Sequence, residues 1–227
     1  EVETRAVEID SETYDYQIYL SGKLRKERNL PVIIFLHGIR ERGSGGFVPT
    51  TGPVGMLVRR YFAQVPAVIL MPQCRPGKYW SDPAMDKMVM GALRQTTKEF
   101  GADENRIYLA GVSMGGYGVW HFASAYPEKF AALVPICGGS SLTTGDRFTP
   151  VAEKIGKIPA WVFHGAKDAV VPVSESRLMV EALKAEGAAV KYSEYPESGH
   201  NVWLDVVAEK DLMSWLLRQK RPETVSP

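Results

Sequence analysis

A chain of 227 residues, 45% hydrophobic and 23% charged, is too apolar to stay disordered and long enough to enclose one large core. Its 27 basic and 26 acidic residues leave a formal net charge of +1, which argues against a general electrostatic grip on nucleic acid, since that needs a clustered basic face. No apolar run approaches the roughly 18 residues that cross a bilayer, so no membrane span is expected.

The sequence opens on Glu1, as it would after removal of an upstream signal peptide, and it is equally compatible with a cytoplasmic protein. The first elements are "TRAVEI" and residues 14–20, "YDYQIYL"; the latter alternates with the period of a half-exposed strand, and the former is its expected partner. The pattern then changes. "PVIIFLHG", "AVILMPQC", "RIYLAGVS", "ALVPICGG" and "AWVFHGAKD" are short apolar runs without alternation, as strands buried on both faces of a parallel sheet require. Segments of helical spacing separate them. Val54, Leu57, Val58, Tyr61 and Phe62 form one apolar stripe, and Met85, Met88, Val89, Leu93 and Thr96 form another. "GYGVWHFASAYPEKF" reads as helix, and Leu178, Val180, Leu183 and Ala185 form a third stripe that stops before Gly187. After the strand-like "VKYSEYP", residues 202–217 repeat apolar side chains at three- and four-residue steps, which predicts one final helix.

Such alternation predicts an α/β protein with a mostly parallel, doubly wound sheet and an antiparallel N-terminal edge. No repeat, low-complexity segment or linker divides the chain, so residues 1–227 read as a single domain with a frayed tail from about residue 219. Cys74 and Cys137 have neither metal-ligand spacing nor a disulfide framework and read as buried free thiols. Ligands of such sheets bind at the carboxyl ends of the strands, so the loops there carry the search for chemistry.

One of those loops is Gly111-Val112-Ser113-Met114-Gly115, between an apolar run and a helix. Strand, sharp turn and helix around G-x-S-x-G is the context in which this pentapeptide presents a nucleophile, with Ser113 at the positive end of a helix. A serine hydroxyl needs a base within reach. His37 and His164 each end a buried strand before glycine, where an imidazole usually satisfies backbone groups, and His121 falls on the helix after the serine. His200, in the glycine-hinged loop "PESGHNVW", is the expected base. Asp168, just past the strand "AWVFHG", is the carboxylate expected to orient it, in preference to Asp146 and Asp205. A tetrahedral intermediate would take the backbone N–H of Met114 and, from the loop after "VIIFLHG", that of Ile39.

Together with their order Ser…Asp…His, these features resemble the α/β-hydrolase superfamily over about residues 12–217. The segments "FLHGIRERGS", "MPQCRPGKYWSDP", "ADENRIYLAGVSMGGYGVWHFASAYPEKFAALVPICGG", "FHGAKDAVVP" and "SGHNVW" carry a closer resemblance. They are similar to the lid-less branch of phospholipase/carboxylesterase-type, dienelactone-hydrolase-like and feruloyl esterase or polyhydroxybutyrate depolymerase relatives. The resemblance implies an α/β-hydrolase fold without a lid domain and a serine carboxylesterase acting on a small or exposed ester, with no cofactor and no metal. A serine peptidase, a thioesterase or a non-catalytic binding protein on the same scaffold are the alternatives. Related sequences often carry a second glycine where this chain has Arg40, which leaves Ile39 the weakest of the site assignments. Arg40 and Arg42 stand as candidates for an acidic substrate group, with Arg42 bracing the loop against Glu41 as the other reading. Trp80 (beside Tyr79), Trp203 and Tyr117 are candidate pocket walls, and core packing explains the tryptophans equally well.

Overall fold

The computed structural model of the chain describes residues 2–45, 55 and 65–221. The helical stripe expected over residues 54–62 lies outside the described residues. Eight strands form one sheet: β1 (Val2–Ile9), β2 (Glu12–Tyr19), β3 (Val32–Leu36), β4 (Val68–Pro72), β5 (Ile107–Val112), β6 (Ala132–Ile136), β7 (Ala160–Gly165) and β8 (Val190–Tyr195). Their spatial order is β1-β2-β4-β3-β5-β6-β7-β8. The pairings from β4 through β3 to β8 are parallel, while β1–β2 and β2–β4 are antiparallel. This is the mostly parallel sheet with an antiparallel edge that the apolar runs predict. Every residue of β3, β4, β5, β6 and β7 is buried, because helices cover both faces there.

The alternation of side chains along each strand sorts them into two cores. Ile34, Leu36, Leu109, Leu133 and Val162 pack on one side with α1 (Pro83–Phe100), α2 (Met114–Ala125) and α4 (Ser174–Ala185). Ile33, Phe35, Tyr108, Ala110 and Phe163 point to the other side, onto Val202, Val206, Leu212 and Leu216. Helix α1 buries the whole predicted stripe of Met85, Met88, Val89, Leu93 and Thr96. It starts with proline in its first turn and stops at Gly101, whose left-handed backbone returns an N–H to the Thr97 carbonyl.

Two expectations are corrected. Leu178 and Ala185 are exposed, and α4 buries Ser176 and Met179 together with the predicted Val180 and Leu183, so the stripe is offset from the predicted one. The single helix expected over 202–217 is two short ones, α5 (Trp203–Val206) and α6 (Leu212–Arg218). The polar segment between them tightens into three-residue turns, Ala208 N–H to Asp205 O and Glu209 N–H to Val206 O, and the break lets both pieces lay apolar side chains on the same sheet face. Past α6 the chain is tied to the core, with Arg221 N–H on Asn105 O and the Tyr108 hydroxyl donating to Gln219 O. Between β6 and β7, where a lid would be inserted, the chain forms only a loop and the short α3 (Thr149–Ile155).

Candidate active site

The sharp turn between β5 and α2 is built around Ser113, whose backbone sits at φ 56° and ψ −115°. A non-glycine residue there is strained, and such strain persists only when the surroundings over-determine it. Here Ser113 N–H is held by Ile136 O at 2.8 Å, and Ser113 O accepts from Tyr117 N–H at 3.1 Å as α2 begins. Gly115 explains the flanking glycine: a methyl group at this position would overlap the Leu36 carbonyl oxygen, so the turn could not nest against the end of β3. The hydroxyl therefore stands at a helix N-terminus, at the carboxyl end of a central strand.

Two further loops converge on it. His200 Nε2 lies 2.8 Å from Ser113 Oγ, and His200 Nδ1 lies 2.8 Å from Asp168 Oδ2. Asp168 follows β7 directly and its side chain is fully buried, while that of His200 retains 21% exposure. The other Asp168 oxygen, Oδ1, accepts the N–H groups of Val170 and Val171 at 2.8 and 2.9 Å. With a carboxylate on Nδ1, the imidazole keeps its proton there and offers Nε2 to the serine as an acceptor. Rivals fall elsewhere: Asp146 accepts the N–H groups of Phe148 and Thr149 at the start of α3, Asp205 bonds Ser198, and His121 pairs with Asp86 at 2.8 Å.

A further loop approaches from β3. His37 is completely buried, and its Nε2 accepts the Cys74 N–H at 3.0 Å. The ring proton must then sit on Nδ1, which donates to the Gly38 carbonyl at 2.6 Å. Burial pushes the His37 imidazole down to about 4, so it stays neutral. Because the Gly38–Ile39 peptide is trans, pinning the Gly38 carbonyl on His37 turns the Ile39 N–H to the opposite side. The next residues form a short 3₁₀ turn, Ile39–Glu41, and a methyl on Gly38 would stand 3.9 Å from Ser113 Cβ.

A cavity of about 590 Å³ opens over Ser113, with Ile39, Tyr79, Trp80, Met114 and Tyr117 on the near side and Leu142, Arg147 and Val170 on the far side. Trp80 serves two purposes: it lines this cavity while its buried indole donates Nε1–H to His37 O at 3.1 Å. Trp203 does not line the cavity; it stands edge-on to the His200 ring at 5.9 Å. Arg40 is exposed and also stays outside the lining, and Arg42 lies over the Tyr79 ring at 4.5 Å. Sequence reasoning missed the far wall. Arg147 pairs there with Glu175, a buried acid on α4 that also accepts Ser140 N–H at 3.1 Å. Both come from segments distant from any motif, and the one available signal was an acid placed on the inner face of α4.

Cys137 Sγ, an Asp168 oxygen and a His200 nitrogen lie within 4.8 Å of one another, a spacing that could hold a cation. The donors fit poorly: burial pushes the Cys137 thiol far up, and both His200 nitrogens are engaged by Asp168 and Ser113.

Residues 83–211, more than half of the chain, match the profile of the phospholipase/carboxylesterase family. The chain belongs to that family. A crystal structure of a thermostable esterase superposes on 97% of this chain with a TM-score of 0.83 and 32% identity, and the match covers 63% of that protein. A secreted protein of Arthroderma benhamiae is 29% identical over 131 residues, 46% of this chain and 14% of its own length. A putative carboxymethylenebutenolidase of Salmonella typhimurium is 27% identical over 103 residues, 44% of this chain and 38% of that protein. The chain thus spans less than two thirds of the length of each of these relatives. The matched 83–211 region of the phospholipase/carboxylesterase profile contains Ser113, Asp168 and His200. Among the described residues, no helix is long and apolar enough to cross a membrane.

Proposed function

We propose that this phospholipase/carboxylesterase-family chain is a serine carboxylesterase working through an acyl-enzyme. The observation that carries the reading is the unbroken hydrogen-bond chain Ser113 Oγ–His200–Asp168, 2.8 Å at each link, at the floor of an open cavity. In this scheme His200 Nε2 takes the hydroxyl proton as Ser113 Oγ attacks the ester carbonyl. The oxyanion is stabilised by the N–H groups of Met114, at the start of α2, and Ile39, whose peptide is turned by His37. The imidazolium, steadied by Asp168, protonates the departing alcohol. A water activated by the same histidine then cleaves the acyl-enzyme and regenerates Ser113. No cofactor or metal enters any step.

The cavity's shape supports a small ester with an apolar portion. Ile39, Tyr79, Leu142 and Val170 are each between 43% and 67% exposed, and all four line its rim. Such side chains stay in water without stabilising the free protein, whereas a bound apolar group would cover them. Arg147 is already paired with Glu175, so the far wall offers polarity without an unpaired charge. The test is hydrolysis of p-nitrophenyl esters of graded chain length beside a peptide and thioester panel. Ser113→Ala should abolish both ester turnover and labelling by a fluorophosphonate; turnover that persists in this variant sinks the assignment, and peptide cleavage outrunning ester cleavage would make the chain a peptidase.

A further inference from the structure

Asp168 has four hydrogen-bond acceptor positions and no access to water to fill them. Oδ1 receives Val170 and Val171 N–H, and Oδ2 receives His200 Nδ1–H. His164 Nε2 also lies 3.2 Å from Oδ2. His164 is wholly buried at the end of β7, with Nε2 also 3.0 Å from Val171 O and Nδ1 2.7 Å from the Ser176 hydroxyl of α4. Two acceptors confront Nε2, so the ring proton sits there, and Ser176 O–H donates to Nδ1. Burial lowers the proton affinity of His164, which keeps the ring neutral despite its carboxylate neighbour. It therefore places a polar N–H close to Asp168 without adding a positive charge beside His200.

We propose that His164 is a positioning residue for ester hydrolysis: its Nε2–H, oriented by Ser176 and bonded to Val171 O, sets a neutral N–H dipole 3.2 Å from Asp168 Oδ2 and so tunes how strongly Asp168 holds His200. This rests on the assignment of Ser113, His200 and Asp168 made above. Without that neighbouring N–H, the negative charge of Asp168 concentrates on its bond to His200. The imidazolium is then over-stabilised, so a higher pH is needed to free the base, and the acid that must protonate the leaving alcohol is weaker.

The other ionisable groups around this pair are engaged elsewhere. Cys137, past β6, points its protonated thiol at His200 O, and Asp205 of α5 bonds Ser198. Glu175 of α4 holds Arg147, Glu194 of β8 holds Arg177, and Lys167 pairs with Glu197. Burial keeps the Tyr117 phenol of α2 neutral.

The experiment is the pH profile of kcat/KM for p-nitrophenyl acetate with the full chain and its variants, combined with proton NMR of the downfield His200 Nδ1–H resonance. In His164→Leu the acid limb should move up by roughly half a unit to one unit, and kcat should fall about 10-fold with KM little changed. The resonance should move further downfield. His164→Gln, whose amide N–H reaches toward the same oxygen, should restore the profile. If His164→Leu does not fold, Ser176→Ala carries the test, with a smaller shift in the same direction. An acid limb and resonance that stay at their original positions, with activity lost only in proportion to the fluorophosphonate-reactive fraction, would make His164 mere packing. Retained turnover in Ser113→Ala would overturn the site and this inference together. An inactive Ser113→Ala with an unmoved His164→Leu profile overturns this inference alone.

Discussion

Two strand ends of this molecule carry the same dipeptide, His37-Gly38 just past β3 and His164-Gly165 closing β7, and both imidazoles are completely sealed from water. Their duties differ because of what each strand runs into. Beyond β3 the chain makes a tight turn, and His37 has only backbone to bond, the Cys74 N–H and the Gly38 carbonyl. Beyond β7 it curls back so that Asp168 Oδ2 lies 3.2 Å from Nε2, and His164 bonds the Ser176 hydroxyl and the Val171 carbonyl. The glycines diverge likewise. A methyl at Gly38 would meet the serine turn only at ordinary contact distance, whereas a methyl at Gly165 would overlap the Ser198 and Gly199 carbonyls, the loop that delivers His200. A buried histidine before glycine is thus a fixed donor–acceptor unit whose meaning comes from the segment it faces.

The sharpest break in the comparison comes from the histidine that stays partly exposed. His200→Ala should lower kcat by about 10⁴-fold or more, with an unchanged thermal transition, because it removes chemistry and little packing; an ester hydrolysis rate within tenfold of the parent would transfer the base role to another group. His37→Ala should cost about 10²-fold in kcat with KM nearly constant, since it frees the Gly38–Ile39 peptide, and urea denaturation should show it destabilised by roughly 1–3 kcal/mol through the orphaned Cys74 N–H. A loss confined to stability would leave Ile39 without a role in the oxyanion site.

Acid titration probes the same corner. His37 stays neutral in the fold down to about pH 4, whereas an unfolded histidine takes up a proton near pH 6.5. The unfolded state then binds more protons, so stability falls as pH drops through that window, by up to about 3 kcal/mol, and this contribution levels off below pH 4. Chemical denaturation at stepped pH should show a shallower decline in His37→Asn, and parallel curves would assign the acid sensitivity to other groups. The mildest contrast is between the glycines: Gly165→Ala should destabilise by about 1–3 kcal/mol against two backbone oxygens. Gly38→Ala, whose methyl would meet the Glu41 carboxylate at 3.1 Å, should be nearer neutral in the same urea titration.

Much of this was legible before any coordinates. Five uninterrupted apolar runs became the five fully buried strands, and the stripe from Met85 to Thr96 became the inner face of α1. The residues read as nucleophile, base and acid stand within hydrogen-bond distance of one another. Leu178 and the final helix were misread because periodicity reports which side chains are apolar, while register and helix breaks answer to the surface being packed against.

The sequence by itself determined the central strands, their burial and the chain order of Ser113, Asp168 and His200, since these follow from local patterning and from the chemistry each residue type can perform. Only the tertiary structure decided that β4 lies outside β3 in the sheet and that Arg147, paired with Glu175, lines the cavity. It alone decided that one histidine steadies a peptide while its twin reaches a carboxylate. A hydrogen bond needs its partners within about 3 Å, and no local pattern records which distant segment the folded chain brings that close.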